Sequence, residues 1–205
     1  MSETARERHI ILVVDDSPDT LTMLTDALEQ SGATVLVAIS GEQALELVER
    51  ITPDLILLDA VMPNLDGFET CRRLKNVPAL SGTPIIFMTG LTETTHIVQG
   101  LGAGGVDYVT KPLVLEELLA RIDVHLANAR VARSTRAALD TVGRHLIATD
   151  RQARILWSTP QARTLIGLDD DGQNAPEALL RAIREALAAE GADQRPAAFV
   201  TARSQ

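Results

Sequence analysis

The chain has few aromatic residues and a single cysteine. Tryptophan and tyrosine occur once each and phenylalanine three times, so aromatics make up 2% of the 205 residues. An apolar core must therefore be built from aliphatic side chains. One cysteine, Cys71, excludes an internal disulfide, and we expect its thiol to be inert. Chains without disulfides are typical of a reducing compartment, so the sequence predicts a cytoplasmic protein.

Long apolar runs and an excess of positive charge are also missing. No stretch approaches the roughly 20 apolar residues that a membrane-spanning helix needs, so we expect no membrane segment. A formal net charge of −9 opposes contact with a polyanion, and nucleic-acid binding by this chain as given is not expected. The arginines between residues 130 and 136 are expected to form a solvated helix face.

Five short apolar runs alternate with segments of helical periodicity after a polar tail, residues 1–8. Continuous apolar runs are typical of strands covered on both faces. Alternation of such strands with helices predicts a doubly wound α/β fold with a parallel sheet. The predicted strands are Ile10–Val14, Val35–Ala38, Leu55–Leu58, Ile85–Met88 and Val106–Val109. The predicted helices begin at Pro18 after the cap Ser17, at the capping box of Ser40 and Gln43, after Gly67, at about Thr92 and after Pro112.

Three glycines, Gly100, Gly102 and Gly105, have the spacing of a dinucleotide-binding loop. That loop follows a strand and opens a helix, whereas these glycines end a predicted helix and precede a strand. The sequence therefore favours a helix-terminating turn here.

Five polar residues follow the predicted strands: Asp15, Asp16, Asp59, Thr89 and Lys111. The carboxyl ends of parallel strands share one edge of the sheet, so these side chains are expected to converge on one crevice. Three carboxylates can hold a hard divalent cation, normally Mg²⁺. A carboxylate there can attack phosphorus, and the lysine and the threonine hydroxyl can bind the phosphoryl oxygens.

Residues 9 to about 128 resemble the receiver domain of two-component response regulators. The resemblance implies a flavodoxin-like sheet of order 2-1-3-4-5 and a role for Asp59 as acceptor of a phosphoryl group from a histidine kinase or phosphotransfer protein. The motifs that carry it are Val13-Val14-Asp15-Asp16, Leu57-Leu58-Asp59-Ala60-Val61-Met62-Pro63, Leu65-Asp66-Gly67, Met88-Thr89-Gly90 and Asp107-Tyr108-Val109-Thr110-Lys111-Pro112.

The resemblance also assigns roles to single residues. It implies Mg²⁺ bound by Asp16, Asp59 and the Val61 backbone carbonyl, with Asp15 acting through water. Asp59, Thr89 and Lys111 would carry the phosphotransfer, and Thr89 and Tyr108 would be a switch pair. It further implies a cis Lys111–Pro112 bond and, because Val61 and Leu91 are apolar, slow loss of the phosphate.

Beyond the receiver region the fifth helix is predicted to continue, because no glycine or proline occurs between Leu113 and Val142. We expect residues 129–142 to be a helical linker that packs on a partner chain or on the next module. Residues 143–205 are expected to be a PAS-like or reduced α+β module, or a truncated one. Its start is similar to the opening of a PAS sensor domain. Predicted elements are strands at His145–Thr149 and Ile155–Trp157, helices at Pro160–Leu165 and Pro176–Glu190, and a last strand at Ala197–Thr201.

The sequence thus predicts a phosphorylation-dependent response regulator. It would signal by changing the face of its fourth helix, fifth strand and fifth helix and by dimerising there, in transcriptional control if a DNA-binding domain follows. It would catalyse only its own phosphotransfer and dephosphorylation.

Alternatives are output through protein–protein contact without DNA, a binding module that never turns over phosphate, and an Asp-nucleophile phosphatase of the haloacid dehalogenase type. That phosphatase needs two aspartates separated by one residue at the end of the first strand. Asp15 and Asp16 are adjacent and lack this spacing.

Overall fold

A computed structural model describes residues 8–90, 100, 102–141, 146–149, 155–167, 177–189 and 199–201. The chain divides into two units, Met1–Val131 and Ala132–Gln205, and each is described by itself. None of the described helices is long and apolar enough to cross a membrane.

The first unit contains a sheet of five parallel strands in the order β2-β1-β3-β4-β5, as predicted. Every residue of β3 and β4 is buried. Both faces of these strands are therefore covered, which explains their unbroken apolar sequences. The strands are β1 Ile10–Val14, β2 Thr34–Ala38, β3 Leu55–Asp59, β4 Ile85–Thr89 and β5 Asp107–Thr110.

Four helices accompany these strands in the described residues, and the fourth begins in the first unit and ends in the second. They are α1 Pro18–Gln30, α2 Gly41–Val48, α3 Gly67–Lys75 and α4 Leu115–Thr141, and a 3-10 turn spans Pro78–Leu80. Residues 92–101, the predicted fourth helix, lie outside the described residues except for residue 100, so the long helix is labelled α4. Its 27 residues agree with the predicted uninterrupted helix.

Local hydrogen bonds account for the starts of the first two helices. The Ser17 hydroxyl accepts the Thr20 N–H at 3.4 Å, and Pro18 follows the cap. The Ser40 hydroxyl accepts the Gln43 N–H at 3.3 Å, and the Gln43 side chain accepts the Ile39 N–H at 2.8 Å. These contacts satisfy N–H groups that have no partner within the helix.

The core lies on both faces of the sheet because side chains alternate along each strand. On one face, Leu12, Ile56 and Phe87 pack with the buried sides of α2 and α3. On the other face, Ile11 and Leu57 belong to a cluster with α1 and α4. The helix residues of this second cluster are Leu21, Leu24, Leu28, Leu118, Ile122 and Leu126.

The glycine-rich segment before β5 is a turn, as predicted. The N–H groups of Ala103 and Gly105 both donate to the Gly100 carbonyl, and Gly104 has a φ of 102°. A positive φ is accessible to glycine without steric cost.

Besides the end of α4, the described residues of the second unit form a three-stranded antiparallel sheet in the order β7-β6-β8 and two helices. Its elements are β6 Leu146–Thr149, β7 Ile155–Ser158, α5 Pro160–Ile166, α6 Glu177–Ala189 and β8 Phe199–Thr201. Their types and order agree with the predicted α+β pattern. The similarity to a PAS domain and the boundaries at residues 129 and 143 stay predictions.

Candidate functional site

Three carboxylates lie together at the carboxyl edge of the parallel sheet. Asp15 and Asp16 follow β1, and Asp59 ends the neighbouring strand β3, where Val14 pairs with Leu58. One oxygen from each carboxylate lies within 4.8 Å of the other two. Asp15 and Asp59 are buried and Asp16 is exposed, so the cluster opens to solvent on one side.

Lys111 bridges the two buried carboxylates. Its Nζ lies 2.8 Å from Asp15 Oδ2 and 2.6 Å from Asp59 Oδ2. The Lys111 N–H donates to the Thr89 carbonyl at 2.8 Å, which fixes the lysine beside the end of β4. The Lys111–Pro112 bond is cis, as the resemblance implied.

Backbone donors hold the second oxygen of each buried carboxylate. Asp15 Oδ1 accepts the Ser17 N–H at 2.9 Å, and Asp59 Oδ1 accepts the Val61 N–H at 3.0 Å. Each buried carboxylate therefore has one oxygen toward a backbone turn and the other toward Lys111. Such contacts offset part of the cost of burying a charge.

Burial and charge shift the pKa values of the central pair. Burial raises the pKa of Asp59, and the negative charge of Asp15 acts in the same sense, while hydrogen bonds from Lys111 and the Val61 N–H oppose them. Burial acts to lower the pKa of Lys111, but its bonds to Asp15 and Asp59 outweigh it and raise that pKa. The lysine is therefore held as a cation.

The donor set fits a hard divalent cation. It consists of carboxylate oxygens from Asp15, Asp16 and Asp59, at separations that one ion can span. Small divalent cations prefer a few oxygen ligands from the protein and keep water at their remaining positions. The acidic cluster could thus hold a metal ion.

Thr89 and Tyr108 lie on adjacent strands at the same edge. In the register of β4 and β5, Tyr108 is opposite Phe87 and Thr110 is opposite Thr89. Alternation along the strands places Tyr108, Phe87 and Thr89 on one face of the sheet. Thr89 is buried, and the partly buried Tyr108 packs against the core cluster on the side of α2 and α3.

Two features, one at the site and one at the amino end of β5, were not predicted from the sequence. Gly67 lies against the Asp59 carbonyl, although the sequence used it only as a helix start and as part of a family motif. Asp107 binds Arg121 Nη1 with both oxygens, at 2.9 and 3.2 Å, and lies 3.0 Å from His125 Nε2. The only signal for the second feature was the spacing of four residues from Arg121 to His125.

Comparison with known proteins identifies the family. Residues 11–123 match the response regulator receiver domain, and the chain belongs to this family. Two solved structures are similar to it. A two-component response regulator from Clostridium difficile has a TM-score of 0.56 and 32% identity, covering 58% of this chain and 97% of that one. A putative response regulator from Chloroflexus aurantiacus has a TM-score of 0.57 and 33% identity, covering 59% and 99%.

One relative is named as a DNA-binding response regulator and another as a transcriptional regulatory protein. The DNA-binding response regulator MtrA of Mycolicibacterium smegmatis is 44% identical over 124 residues, which are 60% of this chain and 52% of that protein. The alkaline phosphatase synthesis transcriptional regulatory protein PhoP of Bacillus subtilis is 41% identical over 122 residues, which are 60% and 50%. The chain spans about half the length of these relatives.

Proposed function

We propose that Asp59 accepts a phosphoryl group from a histidine kinase or phosphotransfer protein, with Mg²⁺ at the acidic cluster. One observation carries this proposal: Asp59 is buried beside two further carboxylates, with its Oδ2 2.6 Å from the cationic nitrogen of Lys111. Family membership supports it, because receivers are the phosphoaccepting domains of two-component systems.

The reaction is a displacement at phosphorus. An Asp59 oxygen forms the new P–O bond, the P–N bond of the donor phosphohistidine breaks, and the imidazole leaves with that electron pair. Asp16, Asp59 and the Val61 carbonyl would hold Mg²⁺, with Asp15 acting through water, and the ion supplies positive charge that offsets repulsion between the anionic donor and the carboxylates.

Two side chains then stabilise the transferred group. Lys111, whose Nζ lies 2.6 Å from Asp59 Oδ2, exchanges this contact for one phosphoryl oxygen. The Thr89 hydroxyl donates to another oxygen. Tyr108 follows by turning inward on the same face of the sheet, so Thr89 and Tyr108 form the switch pair.

Apolar side chains at the same edge of the sheet favour docking of a protein donor. Ile39, Val61 and Val114 follow β2, β3 and β5, and each is more than half exposed. Apolar side chains exposed beside an anionic pocket are typical of a protein-binding surface. The donor is thus a protein that presents its phosphohistidine from an apolar surface.

The output is a change of the face around β5 and α4, together with homodimerisation. Five exposed residues follow the heptad spacing of four and three along α4, opposite its buried side, which suits contact with a second copy of the chain. They are Ala120, Val124, Ala127, Val131 and Ser134.

Transcriptional control is the proposed role of the full-length protein, because the relatives MtrA and PhoP are named as DNA-binding or transcriptional regulators. Residues 143–205 would act as a PAS-like module beside the receiver. The protein would act in the cytoplasm, where histidine kinases present their phosphoryl groups. In this proposal the chain as given does not bind nucleic acid, and it catalyses only its own phosphotransfer and dephosphorylation.

Intact-mass measurement after incubation with acetyl phosphate and Mg²⁺ tests the function. We expect the wild-type chain to gain and retain one phosphoryl group, and chelation of the metal to prevent the gain. Asp59→Asn should gain none. Asp66→Asn is the matched control, because Asp66 is an exposed carboxylate seven residues after Asp59 and asparagine also caps a helix.

Two results would contradict the proposal. Phosphorylation of Asp59→Asn to the wild-type extent would place the acceptor elsewhere. Release of inorganic phosphate over many turnovers, with no retained group, would favour the phosphatase alternative.

A further inference from the structure

Gly67, the first residue of α3, lies against the peptide that follows Asp59. A Cβ atom added at Gly67 would lie 2.0 Å from the Asp59 carbonyl oxygen, 2.9 Å from the Asp59 carbonyl carbon and 2.8 Å from Ala60 Cα. All three atoms belong to the backbone, so no side-chain rotation could relieve the contact. Gly67 is not among the glycines with positive φ. Space, and not backbone conformation, therefore requires glycine here.

The segment that Gly67 touches also holds the proposed reacting groups. The Gly67 N–H donates to the Ala60 carbonyl at 3.1 Å, and the Ala60 N–H donates to the Met88 carbonyl at 2.9 Å. The Val61 N–H in the same turn holds Asp59 Oδ1. The turn is thus fixed between β4 on one side and the first residue of α3 on the other.

Neither side of this contact has room to move alone. On α3, Phe68, Cys71 and Leu74 are buried in the core, while β3 is buried at all five positions. The turn is held as well, because Ala60 and Met62 belong to the same core cluster. A larger residue at position 67 would overlap the Asp59 peptide itself and must therefore displace it. The displacement would shift the Asp59 carboxylate and the Val61 carbonyl together.

We propose that Gly67 is a positioning residue for phosphoryl transfer, which sets where the Asp59–Val61 turn stands relative to Asp16 and Lys111. This inference rests on the proposed function of Asp59. It differs from that function in that no atom of Gly67 touches the phosphoryl donor or the ion.

Gly67→Ala in the full chain tests the inference, with Gly41→Ala as the matched control. A Cβ at Gly41 would also meet a close contact, 2.2 Å from Thr70 Oγ1, but its neighbours are side chains of Thr70 and Leu65. Both variants therefore crowd the same helix, and only one crowds the backbone of Asp59.

Three measurements separate positioning from stability. They are Mg²⁺ affinity by calorimetry, the rate of phosphorylation by acetyl phosphate, and the urea midpoint of unfolding. We expect Gly67→Ala to lower the Mg²⁺ affinity and the phosphorylation rate about tenfold or more while still folded, because a displacement near 1 Å can cost about a hundredfold. Gly41→Ala should keep both within about twofold, whatever its urea midpoint. Amide shifts of Ala60 and Val61 in the metal-free protein should move only in Gly67→Ala.

Each result has a defined meaning. A folded Gly67→Ala with wild-type affinity and rate overturns the inference, as does an equal loss in Gly41→Ala. If Gly67→Ala does not fold in buffer, all proteins are compared in trimethylamine N-oxide, which favours the folded state. Failure to fold there also overturns it, since Gly67 would then serve packing alone. If the wild-type chain is not phosphorylated, the proposed function itself fails.

Discussion

The side chain of Val61 is expected to control how long the proposed phosphoryl group stays on Asp59. It lies two residues beyond Asp59, and its side chain is 56% exposed. An apolar side chain cannot orient an attacking water, so we expect slow loss of the phosphoryl group. Val61→Asn should speed that loss by up to about a hundredfold, because the amide can orient the attacking water. Intact mass followed over time after removal of acetyl phosphate measures it.

Val114→Asn is the control for this substitution, because Val114 is 57% exposed on another loop at the same edge. Phosphorylated Val114→Asn should lose its phosphoryl group with the same half-life as the wild type. Leu91→Glu, at a position outside the described residues, is expected to add to the effect of Val61→Asn. An unchanged half-life in Val61→Asn would contradict the prediction.

Asp107 provides a pH-dependent contribution to stability. Burial acts to raise the pKa of Asp107, but hydrogen bonds with His125, the Tyr108 N–H and Arg121 outweigh it and hold that pKa below 3.8. A lowered pKa in the folded state stabilises the fold above the unfolded pKa, and this contribution is lost as the pH falls through the folded pKa.

Asp107→Asn should therefore lower the free energy of unfolding by about 1 kcal/mol at neutral pH, a modest value because Arg121 is partly exposed. The difference from wild type should shrink toward zero below pH 3.8, the usual pKa of the carboxyl. Urea unfolding at several pH values measures it. Asp123→Asn, on an exposed position of α4, should show no such difference. A constant difference across the pH range would rule out this carboxylate as the cause.

At the scale of elements, α4 has a buried side and an exposed side, for which we propose separate roles. Leu118 and Ile122 are buried against the sheet, whereas Val124 and Val131 are 57% and 66% exposed on the other side. Leu118→Ala should lower the free energy of unfolding by about 2–5 kcal/mol, because it leaves a cavity in the core. Urea unfolding at low protein concentration checks this value.

The exposed side should govern association instead. Val131→Glu is expected to leave the urea midpoint of the monomer unchanged. It should weaken the homodimer, because it places a charge among the five exposed residues with heptad spacing, the exposed stripe. Sedimentation with and without acetyl phosphate measures the dimer. Ala132→Glu places the same charge one residue away, off the heptad stripe, and should leave dimerisation intact. If both variants sediment alike, the exposed stripe is not part of the dimer interface.

The elements themselves were largely predictable. Short apolar runs predicted the five strands within one or two residues, and the inner strands β3 and β4 are buried at every position, as expected for runs covered on both faces. The caps at Ser17 and Ser40 located two helices. The 3-10 turn at Pro78–Leu80 was missed, because three residues carry no periodicity to detect.

At the scale of the whole molecule, the sequence predicted which residues meet at the site but not how they bond. Convergence of Asp15, Asp59 and Lys111 follows from the topology of a parallel sheet. The bridge from Lys111 to both carboxylates, and the contact of Gly67 with Asp59, depend on distances that spacing does not encode. The second unit agrees with its predicted elements, and its similarity to a PAS domain stays a prediction.

Reduction of the phosphorylated full chain with borohydride tests the central claim most directly. Borohydride converts an aspartyl phosphate to homoserine, so peptide mass mapping identifies the residue that carried the phosphoryl group. The account predicts homoserine at position 59 after treatment with acetyl phosphate and Mg²⁺, and unchanged aspartate at positions 15, 16 and 66. Homoserine at any of those three positions, or at none of the four, would contradict it.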